Sequence, residues 1–181
     1  PTDDFIDHII TWDQGAVRAM VARIEQVTGV EWVEALCRTR YPQTALLTPV
    51  HGVGSLSALH FVLLIADPAR FKDARAVGAY LGLVPRRDQS GGRDPELRIS
   101  KTGDRLGRTL LVQSAHRILG EFGEDSDLRR FGLKLAARGG KTAKKRAVVA
   151  TARKLAVLLF ALLRSGAVYE PLRNSAKSKA S

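Results

Sequence analysis

The run Pro85 to Asp94, "PRRDQSGGRD", sets three arginines and one serine around a Gly-Gly pair. Guanidinium forks match phosphate oxygens, and several can converge on one phosphorus as negative charge builds there. A serine hydroxyl is a weak nucleophile unless it is aligned and its developing charge is compensated. Ser90 stands between Arg86-Arg87 and Gly91-Gly92-Arg93, which offer compensating charge and an unobstructed backbone. The same letters also suit a polar turn, and Ser100 and Ser114 are competing hydroxyls. On residue chemistry alone, nucleophile and turn stand as alternatives.

Two further constellations point to phosphate. The cations continue past the loop as Arg98, Lys101, Arg105 and Arg108, and recur in "RGGKTAKKRAVVATARK" (Arg138 to Lys154) as Lys141, Lys144, Lys145 and Arg146. Cations at a helix start oppose the macrodipole, so the second cluster is either a solvated helix end or a track for a polyanion backbone. In "TPVHGVGSLSA", the Gly52-Val53-Gly54 turn lies between apolar helical segments, and Ser55 can N-cap the second of them. Two glycines let the backbone bend sharply, and the unpaired N–H groups that open the next helix attract phosphate. This suits a helix-hairpin-helix that grips the DNA backbone without reading sequence; a plain packing turn is the alternative.

Other chemistries lack their residues. His8, His51, His60 and His116 are scattered without cysteine or carboxylate partners at ligand spacing, so no metal site is expected. There is no Walker loop or dinucleotide fingerprint, no legible Ser/His/Asp set, and the basic half has too few acidic residues for a two-metal nuclease centre.

These groups must be positioned by helices. Beta propensity is low throughout, so the fold class expected is mainly α: a helical domain with a hairpin element, preceded by a helical, coiled-coil-like arm. Apolar residues at helical spacing (Phe5, Ile9, Trp12, Ala16, Met20, Ile24, Val27) predict a helix over 3–28 with Gly29 as C-cap, and a shorter one follows over 31–40. This arm, residues 1–43, suits oligomerisation or simple core packing. The domain proper is expected over 44–172, with the hairpin element at 46–66, the Ser/Arg loop at 85–101 and a disordered basic tail at 173–181. Within it, a short helix ends near Thr48, and helices are predicted over 55–65, 73–81, 104–119 and 142–165, with "GEFGEDSD" (Gly120 to Asp127) as an acidic connector.

The chain has 181 residues, 45% of them hydrophobic, enough for one core. No apolar run approaches the roughly 18 residues of a membrane span, and no signal peptide is legible. A single cysteine, Cys37, excludes an internal disulfide and fits a reducing compartment. The charge is lopsided: residues 84–181 hold 22 Lys/Arg against 9 Asp/Glu, whereas residues 1–83 hold 7 against 9. A field of this kind suits nucleic acid, less well an anionic membrane, and a solvated basic face or an acidic protein partner is the plainer alternative.

The order of the segments carries a resemblance. "PVHGVG", then "ARAVGAYLGLVPRRDQSGG", then "RISKTGDRLGRTLLVQSA", and finally "ARKLAVLLFALLRSGAVYEP" resemble the C-terminal domain of the insertion-sequence 110/116/902 family of transposases, relatives of the Piv-type DNA invertases. His51 stands where the hairpin more often has proline. The resemblance implies that Ser90, the serine after the Arg-Arg pair, is the nucleophile for DNA strand cleavage and exchange through a phosphoserine link. Arg86, Arg87, Arg93, Arg98, Lys101 and Arg105 would be phosphate partners, Gly52, Val53 and Gly54 a backbone anchor, and Lys141, Lys144 and Lys145 further DNA contacts.

The resemblance also implies a RuvC-like acidic domain with Mg2+ ahead of this region, a structured guide RNA, and homo-oligomers joined through the helical arm. With no initiator Met at Pro1, the sequence is expected to be a piece of such a protein without that acidic domain, cytoplasmic and nucleoid-associated. The alternative is a helix-hairpin-helix DNA-binding module whose loop serine is incidental.

Overall fold

In the computed structural model, the structure describes residues 29–86 and 99–173. The described chain contains six α-helices: α1 (Gly29–Thr39), α2 (Ser55–Ile65), α3 (Ala74–Tyr80), α4 (Arg105–Leu119), α5 (Asp127–Ala136) and α6 (Ala143–Ser165). Two 3-10 turns, Pro42–Leu46 and Pro68–Arg70, punctuate them. The only pairing outside helices among the described residues is an isolated antiparallel bridge, Pro85 with Ile99. The fold is mainly α, as the low beta propensity predicts.

Short polar side chains set most helix starts. Asp73 accepts from the Ala76 N–H at 2.9 Å, Asp104 from Gly107 at 2.5 Å, and Ser126 from Arg129 at 3.1 Å. Each of these oxygens satisfies one N–H that the first turn leaves without a helical partner. Gly166, in the left-handed region at φ +65°, closes α6 with its N–H on the Leu162 carbonyl.

The core forms around α6. Helices α3, α4 and α5 all pack on it, and Leu155, Ala156, Leu159 and Phe160 are buried at their contacts. Helix α2 is apolar on every side, and Ala58 to Ile65 are all buried, as an all-round hydrophobic helix requires. Helix α1 covers one face of α2: Val33, Leu36 and Cys37 pack on Leu59 and Leu63. This part of the expected arm is therefore core packing.

Several local expectations need correction. Gly29 is the first residue of α1, and the helix it was expected to cap lies outside the described residues. Gly54, not Ser55, is the N-cap of α2, with no side-chain cap bond. The first arm of the supposed hairpin is the 3-10 turn Pro42–Leu46, not an α-helix. The acidic connector ends in a helix that the sequence reading passed over, α5, whose N-cap is Ser126. The predicted helix over 3–28 and the tail 174–181 lie outside the described residues.

Candidate nucleic-acid interface

The two stems of the Ser/Arg loop are tied together at their base. Ser100 N–H donates to the Val84 carbonyl at 2.9 Å, and Lys101 N–H donates to Gly82 at 3.1 Å. The backbones approach so closely that a Cβ on Gly82 would collide with Thr102, and one on Gly103 with the Tyr80 carbonyl. Both glycines also sit in the left-handed region, at φ +64° and +81°. Lys101 adopts the same region at φ +56°, uncommon for a side chain with a Cβ.

One arginine holds this base. Arg108 Nη1, on the second turn of α4, donates to Leu81 O at 3.1 Å, Thr102 O at 3.0 Å, Gly103 O at 3.4 Å and Asp104 O at 3.2 Å. Leu81 precedes the loop and the other three follow it, so a single guanidinium nitrogen bridges both stems. Arg108 belongs to the run of cations read as phosphate partners, but its Nη1 serves the backbone. Beneath it, the buried pair His60–Asp104 joins α2 to the α4 N-cap, with His60 Nε2 2.9 Å from Asp104 Oδ1. Gly107 leaves room for that pair, because a Cβ there would press on Leu64, Asp104 and His60.

On this base the structure places three of the expected phosphate partners. Arg86 ends the first stem, Lys101 lies on the second, and Arg105 is the first residue of α4; all three are exposed. Arg87, Ser90, Arg93 and Arg98 lie outside the described residues. Of the competing serines, Ser114 is buried at 2% exposure, out of reach of a DNA phosphate. Ser100 is half-buried, its hydroxyl 3.0 Å from that of Thr102.

The glycine turn lies elsewhere. Gly52, at φ +82°, packs against Ser114, Arg117 and Ile118 of α4. That contact is about 14 Å along the helix axis from Arg105, so the turn and the loop stems do not meet at one point. Val53 is buried, and its N–H donates to Val50 O at 2.9 Å, which removes it as a phosphate donor. Gly54 has ordinary backbone geometry with open space around its Cα. His51 Nδ1 lies 3.3 Å from Glu124 Oε1.

Lys141, Lys144 and Lys145 are exposed around the start of α6, after the left-handed pair Gly139-Gly140. Helix α6 links this cluster to the loop region, because the Arg153 side chain packs on Gly78 of α3 shortly before the first stem. Other cations are engaged locally. Arg129 Nη1 donates to Ile118 O and Gly120 O, both at 2.6 Å, and so closes the end of α4. Lys154 Nζ stands 4.1 Å from the Phe131 ring centre. Arg130 pairs with Asp125 at 2.6 Å, a hydrogen bond that holds the Asp125 carboxyl below its ordinary range.

Among the described residues no three His, Cys, Asp or Glu side chains converge as metal ligands. None of the described helices is long and apolar enough to cross a membrane.

Sequence reasoning read Arg108 only as one of the phosphate-seeking cations, and it missed that residue's hold on the backbone, the His60–Asp104 pair and Arg129. Arg108 and Leu81 are 27 residues apart and His60 and Asp104 are 44 apart, so spacing carries no signal for either contact.

Comparison with known proteins gives these elements a context. Residues 44–129 match the family described as "Transposase IS116/IS110/IS902 family". The chain is 38% identical over 115 residues to the transposase for insertion sequence element IS1111A of Coxiella burnetii, covering 63% of this chain and 31% of that protein. It is 35% identical over 127 residues to a probable family 20 transposase of Pseudomonas aeruginosa, covering 69% and 36%. It is 29% identical over 129 residues to the pilin gene-inverting protein of Moraxella lacunata, covering 71% and 39%. The chain thus spans about a third of the length of these relatives. The segment that matches the IS116/IS110/IS902 transposase family begins at Thr44, ahead of the glycine turn, and runs through both loop stems to the start of α5.

Proposed function

We propose that this chain is the DNA-handling domain of an insertion-sequence transposase or site-specific recombinase, with Ser90 as its nucleophile. The observation that carries the reading is the family match over 44–129, which includes the Ser/Arg loop and both its stems. In this reading the Ser90 oxygen bonds to a backbone phosphorus while the bond from that phosphorus to one deoxyribose oxygen breaks. The serine loses its proton, the departing oxygen gains one, and the phosphoserine diester conserves the bond for rejoining to another strand. Arg86, Arg87, Arg93, Arg98, Lys101 and Arg105 balance charge on the phosphate; Lys141, Lys144 and Lys145 track the duplex. Gly52 and Gly54 then serve as a packing turn, with the N-terminus of α2 the remaining backbone contact to DNA.

Among the described residues no three His, Cys, Asp or Glu side chains come together as a donor set for Mg2+. The magnesium-bearing acidic domain, the guide RNA and assembly through the N-terminal arm complete the reading as partners of this domain. The test is strand exchange between donor and target DNA, with guide RNA, by a full-length transposase carrying this domain. Ser90→Ala is expected to abolish exchange while leaving DNA binding intact; unimpaired exchange by Ser90→Ala refutes the nucleophile.

The lopsided charge favours a second reading, a DNA-binding module whose serine is incidental. It predicts affinity that falls steeply with salt and no covalent protein–DNA species from the wild-type protein.

A further inference from the structure

We infer that Arg108 is a positioning residue for strand cleavage: it locks the two stems of the loop at a fixed separation, and so holds the phosphate-binding side chains in register. The inference rests on the transposase reading for the reaction, and on described geometry for the lock. Arg108 Nη1 lies within 3.4 Å of four carbonyl oxygens, one before the loop and three after it. A charged donor on neutral carbonyls makes stronger bonds than a neutral one. Its Cα is fixed in turn, because Arg108 sits on the helix turn that Asp104 caps and that His60 anchors from α2.

The described cations of the stems, Arg86 and Lys101, inherit this geometry. Arg86 and Lys101 flank the bridge of Pro85 with Ile99, and the Ser100 and Lys101 amides close the ladder to Val84 and Gly82. Without the lock, the backbone bonds of Ser100 to Val84 and Lys101 to Gly82 remain, among the described residues, to set the spacing of cations that must meet a phosphate together. Misplacement of reacting groups by about 1 Å costs on the order of 100-fold in rate, whereas affinity summed over many phosphate contacts changes little. Arg108 therefore acts on the rate of cleavage and not on DNA affinity.

The experiment compares Arg108→Met and Arg108→Lys with wild type by two readouts. In the 181-residue chain, hydrogen exchange of the Ser100 and Lys101 amides is followed by NMR. In the full-length transposase, the rate of covalent adduct formation and the DNA dissociation constant are measured separately. Arg108→Met is expected to speed exchange at both amides at least about tenfold, and to slow adduct formation by about 10- to 100-fold with the dissociation constant within about twofold of wild type. Arg108→Lys, whose ammonium offers three donors to the same carbonyls, is expected to recover most of the rate.

Unchanged amide exchange and unchanged rate in Arg108→Met overturn the inference. So does a loss of DNA affinity that matches the loss of rate, or a failure of Lys to recover what Met loses. Failure of the transposase reading is distinguishable, because the wild-type protein would then form no covalent adduct, or one that Ser90→Ala leaves untouched, while the exchange readout still reports on the lock.

Discussion

His60 Nε2 lies 2.9 Å from Asp104 Oδ1, with the two side chains 1% and 2% exposed. The same carboxylate oxygen caps α4 through Gly107 N–H, so one buried atom joins α2, the α4 N-terminus and the base of the Ser/Arg loop. Asp104→Ala removes the cap and the contact that the buried His60 makes through Nε2. It should cost about 3 kcal/mol in urea denaturation. Asp104→Asn keeps an oxygen for Gly107 and should cost less, about 1 kcal/mol.

The two glycines of the turn should behave differently. Gly52 has a left-handed φ of +82°, and an added Cβ would lie 2.8 Å from the Ser114 carbonyl oxygen. Gly54 has φ −87° and open space. Gly52→Ala is expected to destabilise by about 2 kcal/mol or more, and Gly54→Ala to stay within about 0.5 kcal/mol of wild type. Thermal melts of the two variants decide the point.

Thr151 is fully buried in α6, and its hydroxyl, which faces Gly132 of α5, has no hydrogen-bond partner among the described residues. Thr151→Val substitutes a methyl of the same shape and should raise stability by about 1 kcal/mol. Gly132→Ala would drive a Cβ into Thr151 Oγ1 and Leu119, and should lower stability by about 2–3 kcal/mol. Chemical denaturation of both variants measures the packing of α5 on α6.

Burial pushes the Cys37 thiol above its ordinary pKa; the negative charge of Glu34 adds to this, and a hydrogen bond with Thr44 opposes it. The fold thus favours the neutral thiol. This contribution to stability is present below the ordinary thiol range and is lost as the pH rises through the raised value. At pH 8, Cys37 should react with a thiol reagent at least about tenfold more slowly in the folded chain than in urea. Stability should decline toward pH 10 less steeply in Cys37→Ala than in wild type.

Helix starts were legible where Asp73 and Asp104 stand before apolar periodic segments, because a cap is a local interaction. Helix α5 was passed over although Leu128, Phe131 and Leu135 keep helical spacing, because it has only ten residues and begins inside an acidic run that reads as a connector. The cations were legible as cations, but whether a guanidinium serves a phosphate or a carbonyl depends on what the fold brings beside it. Arg86, Lys101 and Arg105 face solvent, whereas Arg108 and Arg129 end on backbone oxygens. The glycine requirement at Gly52 came through; the anchoring role expected of Val53 did not, because its side chain fills the core.

The proposed attack of Ser90 on a DNA phosphate, with the loop stems locked by Arg108, is open to direct trapping. The most direct measurement is a suicide substrate with a sulfur in the scissile bond, incubated with the full-length transposase and guide RNA, followed by peptide mapping of the trapped adduct. A phosphodiester on Ser90, absent in Ser90→Ala and slower to form in Arg108→Met, is the expected result. An adduct that persists in Ser90→Ala, or that maps to Ser100, would contradict it.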